Sequence, residues 1–169
     1  RLSVRRMMSY AVSPIGLTTG LSNPTVLCLY QDNRTNDIWI GTDGEGINRF
    51  NPSTGEFTHY PGTLKTKVVS IASYSENELA LSVYADGIWI FDKRSGAIRP
   101  LKINDRDINY LLKYAGRSLN LANRQDGSIL LISNTVSHLD KSSGKCTSLG
   151  FNIGEKANGN LLPFASRPE

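Results

Sequence analysis

The sequence predicts an all-β chain built from repeated four-stranded antiparallel units, and three observations carry that expectation. Fifteen Gly and seven Pro among 169 residues interrupt short runs rich in Ile, Val, Leu, Tyr and Trp, which is the texture of strands joined by tight turns. The stretch Ile38 to Phe57 repeats itself without a gap when shifted by 41 residues. Three segments, NPSTGE, DKRSGA and DKSSGK, each place Gly at the fifth position of a turn, where a positive φ costs least.

In that shift Ile38 meets Leu79, Ile40 meets Leu81, Gly46 meets Gly87 and Phe50 meets Phe91. Asn51 then meets Asp92, Gly55 meets Gly96, and Phe57 meets Ile98. A third copy follows 48 residues on, where Val136, Leu139, Asp140, Ser143 and Gly144 match Ile88, Phe91, Asp92, Ser95 and Gly96. Its upstream half, around GSILLIS, aligns ambiguously.

The first copy shows the elements in order. Val26 to Tyr30, Ile38 to Thr42, Gly46 to Phe50 and Phe57 to Tyr60 read as strands a, b, c and d, with hairpin-length connections. Strands a and b are apolar at consecutive positions, so both faces of each sheet are expected to be covered. A four-stranded unit of about 40 residues, stacked face to face with its copies, is a β-propeller blade. The whole chain is therefore expected to be one propeller segment, with blades at about 21–61, 62–106 and 107–150 and incomplete flanking strands at 1–20 and 151–169. A partial propeller of three to four blades is preferred to a closed four-bladed ring.

Composition narrows the function. With 39% hydrophobic and 20% charged residues the chain carries enough apolar material for a core. Lys and Arg exceed Asp and Glu by 19 to 15 but are scattered, so no nucleic-acid footprint is expected. Cys28 and Cys146 belong to no CxxC or Cys/His pair with metal spacing, and both are expected to be small buried fillers. No metal or cofactor is implied. No apolar run approaches a membrane span and no signal peptide is read, so no membrane contact is expected of this segment.

The first copy, TGLSNPTVLCLYQDNRTNDIWIGTDGEGINRFNPSTGEFTHY, closely resembles the two-component regulator propeller repeat. Leu21, Ser22, Val26, Tyr30, Asp32, Trp39, Ile40, Gly41 and Thr42 stand at the pattern positions of its first half. Gly46, Asn48, Arg49, Phe50, Pro52, Thr54, Gly55 and Phe57 stand at those of the second. The a-to-b turn QDNRTND is one residue longer than the pattern, and the second copy carries LALS where the pattern has Trp-Ile-Gly-Thr. The resemblance implies the periplasmic sensor part of a hybrid two-component histidine kinase, an inner-membrane homodimer that detects an oligosaccharide and regulates polysaccharide-utilisation genes. It assigns no catalysis to this segment. Its implied partners are the oligosaccharide and the remaining blades or a second copy of the chain.

Ligand contacts are expected in the loops at the end of the blades that carries the b-to-c and d-to-a connections, since loops on a rigid scaffold carry binding. Asn23, Asp43, Glu45, Lys65, Tyr84 and Asp86 are the candidates, all able to hydrogen-bond sugar hydroxyls. Lys65 could also meet a carboxylate or sulfate. GTDGEG lacks the GK[ST] ending of a phosphate loop, and QDNRTND is a polar hairpin whose Arg34 breaks a calcium-loop order. Trp39 and Trp89 are expected to pack between blades rather than to stack sugars. Arg49 is expected to bridge blades. His59 and His138 form no triad or metal pattern. Two alternatives remain: a protein-interaction propeller, and a lyase or hydrolase, for which no converging acid or base cluster repeats.

Overall fold

The computed structural model describes residues 20–60, 66–103, 106–107, 119–133, 135–143 and 145–152. Lys65 and most of both expected flanks lie outside them.

Three four-stranded antiparallel sheets follow one another along the chain. The first is β1 (Val26–Gln31), β2 (Ile38–Thr42), β3 (Ile47–Asn51) and β4 (Glu56–Tyr60), paired in that order. The second is β5 (Val68–Ser73), β6 (Glu78–Val83), β7 (Gly87–Asp92) and β8 (Ile98–Pro100). A two-stranded ribbon, β9 (Lys102–Ile103) with β10 (Arg106–Asp107), precedes the third sheet. That sheet comprises β11 (Asn120–Asn123), β12 (Ile129–Ile132), β13 (Thr135–Asp140) and β14 (Lys145–Asn152). The ambiguous GSILLIS segment thus contributes a second strand, as IWIGT and LALS do.

The second sheet is buried on both faces, and strand alternation sorts its side chains. Leu79, Leu81, Val83 and Phe91 face the first sheet and pack with Trp39 and Ile47. Ala80, Ile88 and Ile90 face the third and pack with Leu121, Ile129, Leu131 and Leu139. The aromatic rings of Trp39 and Phe91 meet edge-on at 5.5 Å, and Tyr60 stacks on Trp39 at 5.6 Å. Trp39 is 1% exposed, which places it in the core and away from any ligand, as its strand position suggests.

The sheets approach one another most closely along their first strands, β1, β5 and β11. Small residues permit this. Ser70 Oγ accepts the Leu121 amide at 2.9 Å, and Gly41 leaves no room for a side chain between Cys28 and Val68. Close first strands and more distant outer strands give a propeller-like fan.

Among the described residues the outward face of β1 is open, with Val26, Leu27 and Leu29 exposed, as the terminal sheet of a partial stack leaves it. One sequence expectation changes. Among the described residues Arg49 is held within its own repeat rather than bridging sheets: its guanidinium donates to Thr58 Oγ1 at 3.2 Å and lies 4.0 Å from Asp37 Oδ2 of the loop before β2. Register explains this, since Trp39, Arg49 and Thr58 are cross-strand neighbours on β2, β3 and β4.

Candidate functional site

The turns of each sheet emerge at two ends. At the upper end lie the second-to-third loops, residues 43–46 and 84–86, with the described residues 20–25 and 66–67 that lead into β1 and β5. At the lower end lie the first-to-second loops, residues 32–37, 74–77 and 124–128, with the third-to-fourth turns.

Three sequence candidates, Asn23, Asp43 and Tyr84, are brought toward one another at the upper end through a residue the sequence reading missed, Lys67. Asn23 Nδ2 donates to the Asp43 carbonyl at 2.8 Å, while its Oδ1 accepts the Thr25 amide at 2.8 Å. Asp43 forms an antiparallel bridge with Lys67, and its Oδ2 accepts from Lys67 Nζ at 3.0 Å. The Lys67 carbonyl in turn accepts the Tyr84 amide at 2.9 Å. Asp86 is exposed two residues beyond Tyr84, and its carbonyl accepts from Trp89 Nε1 at 3.3 Å. Glu45 is exposed at the loop tip with φ of 64°. Lys65 lies outside the described residues. Lys67 resembles many surface lysines in sequence, and only the pairing of residues 43 and 67 across sheets marks it out.

Beneath this surface the loop from Gly20 to Thr25 is tied down by Asn48, which is fully buried. Its Nδ2 donates to Ser22 Oγ at 2.9 Å and its Oδ1 accepts the Ser22 amide at 3.1 Å. His59 Nδ1, 2.6 Å away, must carry the hydrogen because a carbonyl oxygen only accepts. Thr42 Oγ1 shares its single hydrogen between the Gly44 and Gly46 carbonyls, at 2.7 and 3.1 Å, and braces the loop that presents Asp43 and Glu45. The Ser, Thr and Asn positions of the repeat pattern therefore stiffen a presenting surface.

At the lower end a cleft of about 510 Å³ runs across all three sheets. Asp32 and Lys93 pair in it at 2.7 Å, and Arg34 pairs with Glu76. Burial acts to raise the Asp32 pKa, but the Lys93 ammonium and the Arg34 and Thr35 amides outweigh it and hold the carboxyl below its usual range. No sequence candidate lies in this cleft.

Neither cysteine is suited to nucleophilic work. Burial pushes the Cys28 thiol up to about 11, partly offset by the Gly41 backbone, and burial also raises Cys146. Cys28 packs into the core between the first two sheets and Cys146 into the core between the second and third. Among the described residues no group of three or more His, Cys, Asp or Glu could hold a metal ion, and no helix is long and apolar enough to cross a membrane.

Residues 20–44 match the family described as two component regulator propeller. No curated protein matches the chain. Among solved structures, the extracellular domain of BT4673 from B. thetaiotaomicron, assigned as a hybrid two component system, is similar with a TM-score of 0.59 at 20% identity, over 79% of this chain and 19% of that one. The extracellular domain of BT3049 from B. thetaiotaomicron, assigned likewise, gives 0.57 at 15% identity, over 73% and 17%. A second BT4673 structure, there assigned as a one component system, gives 0.56 at 20% identity, over 77% and 19%. The chain thus spans about a fifth of the length of these structures and shares their local fold.

Proposed function

We propose that this chain is a ligand-sensing segment of the extracytoplasmic part of a hybrid two-component sensor histidine kinase, and that its ligand is an oligosaccharide held at the upper end. The three sheets are then blades of a larger propeller, whose further blades cover Val26, Leu27 and Leu29. The segment itself binds rather than catalyses, and the paired receptor carries the signal across the inner membrane.

The single observation that carries the reading is the ladder from Asp43 through Lys67 to Tyr84, which sets loops of two sheets side by side as one polar surface. Such a surface offers carboxylates, an ammonium and a phenol to hydroxyl groups, the pattern that sugar recognition needs. Support for a sensor comes from the family matched by residues 20–44 and from the extracellular domains that share the fold. Lys67 neutralises Asp43, and among the described residues this leaves Glu45 and Asp86 as the exposed charges of this end, which favours a neutral oligosaccharide over an acidic one.

The test is titration of the complete sensor domain with neutral and with uronic or sulfated oligosaccharides at two salt concentrations. Neutral ligands are expected to bind with little salt dependence. Tyr84→Ala and Glu45→Gln are expected to weaken binding by about tenfold, the worth of one or two lost hydrogen bonds. Absence of saccharide binding across a broad panel would transfer the case to a protein-interaction propeller.

A further inference from the structure

The lower cleft holds an inconsistency in the repeat that points to a second ligand. Asp32, Tyr74 and Arg124 are equivalent residues of the three sheets: their amides donate to Asp37, Glu78 and Ser128 carbonyls at 2.9, 3.0 and 3.0 Å, closing the same loop. Lys93 and Lys141 are equivalent as well. Each follows an Asp whose Oδ1 accepts the amide two residues on, Asp92 from Arg94 and Asp140 from Ser142, both at 2.9 Å.

Lys93 finds its counter-ion one sheet back, at Asp32. For Lys141 the corresponding residue one sheet back is Tyr74, which has no carboxylate. Among the described residues Lys141 has no ion-pair partner, although it is half-buried. The neighbouring Asp140 carboxylate is taken by its own turn, accepting from Ser142 Oγ at 2.6 Å and Ser143 Oγ at 2.7 Å. The remaining cations of the cleft are committed: Lys93 to Asp32, Arg34 to Glu76, and Arg124 to Asp126 at 3.1 Å.

We infer that the lower cleft binds an anionic group, a carboxylate or a sulfate, with Lys141 as its counter-ion. The site is separate from the upper end and does not rest on the saccharide reading. Arg34, Lys93 and Arg124 are each matched by a carboxylate, and Asp140 is turned into its own loop by Ser142 and Ser143, so Lys141 is the cation of the cleft lining left for an anion among the described residues. Tyr30 lines the cleft as a neutral group, its pKa raised by burial and its hydroxyl hydrogen-bonded to Ser73. Burial lowers the Lys141 pKa, the strain that a bound anion relieves. Asn123 is already engaged, donating to the Ser73 carbonyl and accepting the Ser73 amide at 2.8 Å each, and it makes a fixed wall.

The experiment titrates the full chain with inorganic sulfate and, separately, with glucuronate, at constant ionic strength held with chloride, and follows backbone amides by NMR. Glucose serves as the neutral control. At least one anion is expected to shift the Ser73, Asn123, Arg124 and Lys141 amides saturably, and the two arms decide between sulfate and carboxylate. Lys141→Gln is expected to weaken that binding about tenfold, the loss of one charge-assisted hydrogen bond. Lys141→Arg is expected to retain it, and both variants should keep the wild-type spectrum elsewhere. Absence of saturable shifts with either anion, unchanged affinity in Lys141→Gln, or equal shifts with glucose would each overturn the inference.

Discussion

The Asp32 carboxylate and the Lys93 ammonium lie 2.7 Å apart although 61 residues separate them in sequence, and they tie the first sheet to the second at the lower end. Their side chains are 7% and 12% exposed, so each has given up most of its water for the other. Asp32 Oδ1 also accepts the Arg34 amide at 3.0 Å, which makes the same carboxylate the organiser of its own loop.

Lys93→Met is expected to cost about 3 kcal/mol, because it strands a buried carboxylate. The double variant with Asp32→Asn should recover much of the loss, as a double-mutant cycle by urea unfolding would show. The pH dependence has a definite sign. Asp32 is lowered in the folded state from its usual 3.8, so its contribution is complete above that value and drains away as pH falls toward the folded pKa. Lys93→Met should remove this acid limb, measured as unfolding midpoints between neutral and acidic pH.

Gly41→Ala should destabilise by about 1–3 kcal/mol through overpacking. A methyl group there would lie 2.4 Å from Cys28 Sγ and 2.7 Å from the Val68 carbonyl oxygen, and the backbone oxygen cannot yield. Gly55→Val is expected to cost about 1 kcal/mol for a different reason: its φ is 75° and nothing crowds it. Gly20→Ala, with open space around it, should be close to neutral. Chemical denaturation of the three variants checks the order.

Asn48→Leu should cost about 2 kcal/mol and loosen the upper loop, since Ser22 and His59 lose their shared partner. The loss should be local. Hydrogen exchange is expected to accelerate at Ser22 while the Leu79 and Leu81 amides of the central sheet keep their protection.

The open face of β1 should make the isolated chain associate, because Val26, Leu27 and Leu29 are 41%, 38% and 65% exposed and adjoin one another. Leu29→Lys is expected to reduce that association in light scattering at micromolar concentration. A wild-type chain that stays monomeric under these conditions would count against an uncovered sheet face.

Strand positions were legible because they depend on local chemistry. VLCLY, IWIGT and FTHY carry β-branched, aromatic and apolar residues between turn formers, and the turns at Gly55 and Gly96 adopt the positive φ that their sequence asks for. Trp39 was legible as a core residue for the same reason: an indole at that strand position has a large apolar area to bury. The third sheet was legible only in its second half, where Asp140 and Ser143 repeat the turn made by Asp92 and Ser95.

The upper surface was half legible. Asn23, Asp43 and Tyr84 sit in loops, as the repeat required, but Lys67 enters only through a bridge to Asp43 between sheets. The partners of Arg49 among the described residues were not legible, because one strand shows which face a side chain occupies, whereas Asp37 and Thr58 come from a neighbouring loop and strand. The lower cleft could not be read at all. Its members come from three sheets, and the difference between a paired Lys93 and an unpaired Lys141 depends on which residue the preceding sheet sets opposite each.

By itself, then, the sequence determined what a 40-residue unit can do alone: form four strands, turn at its glycines, and offer apolar faces for stacking. Tertiary structure decided which faces met and which charges found counter-ions. The physical reason is range, since hydrogen bonding and steric preference act between near neighbours along the chain. Burial and ion pairing act between whatever residues stacking brings into contact.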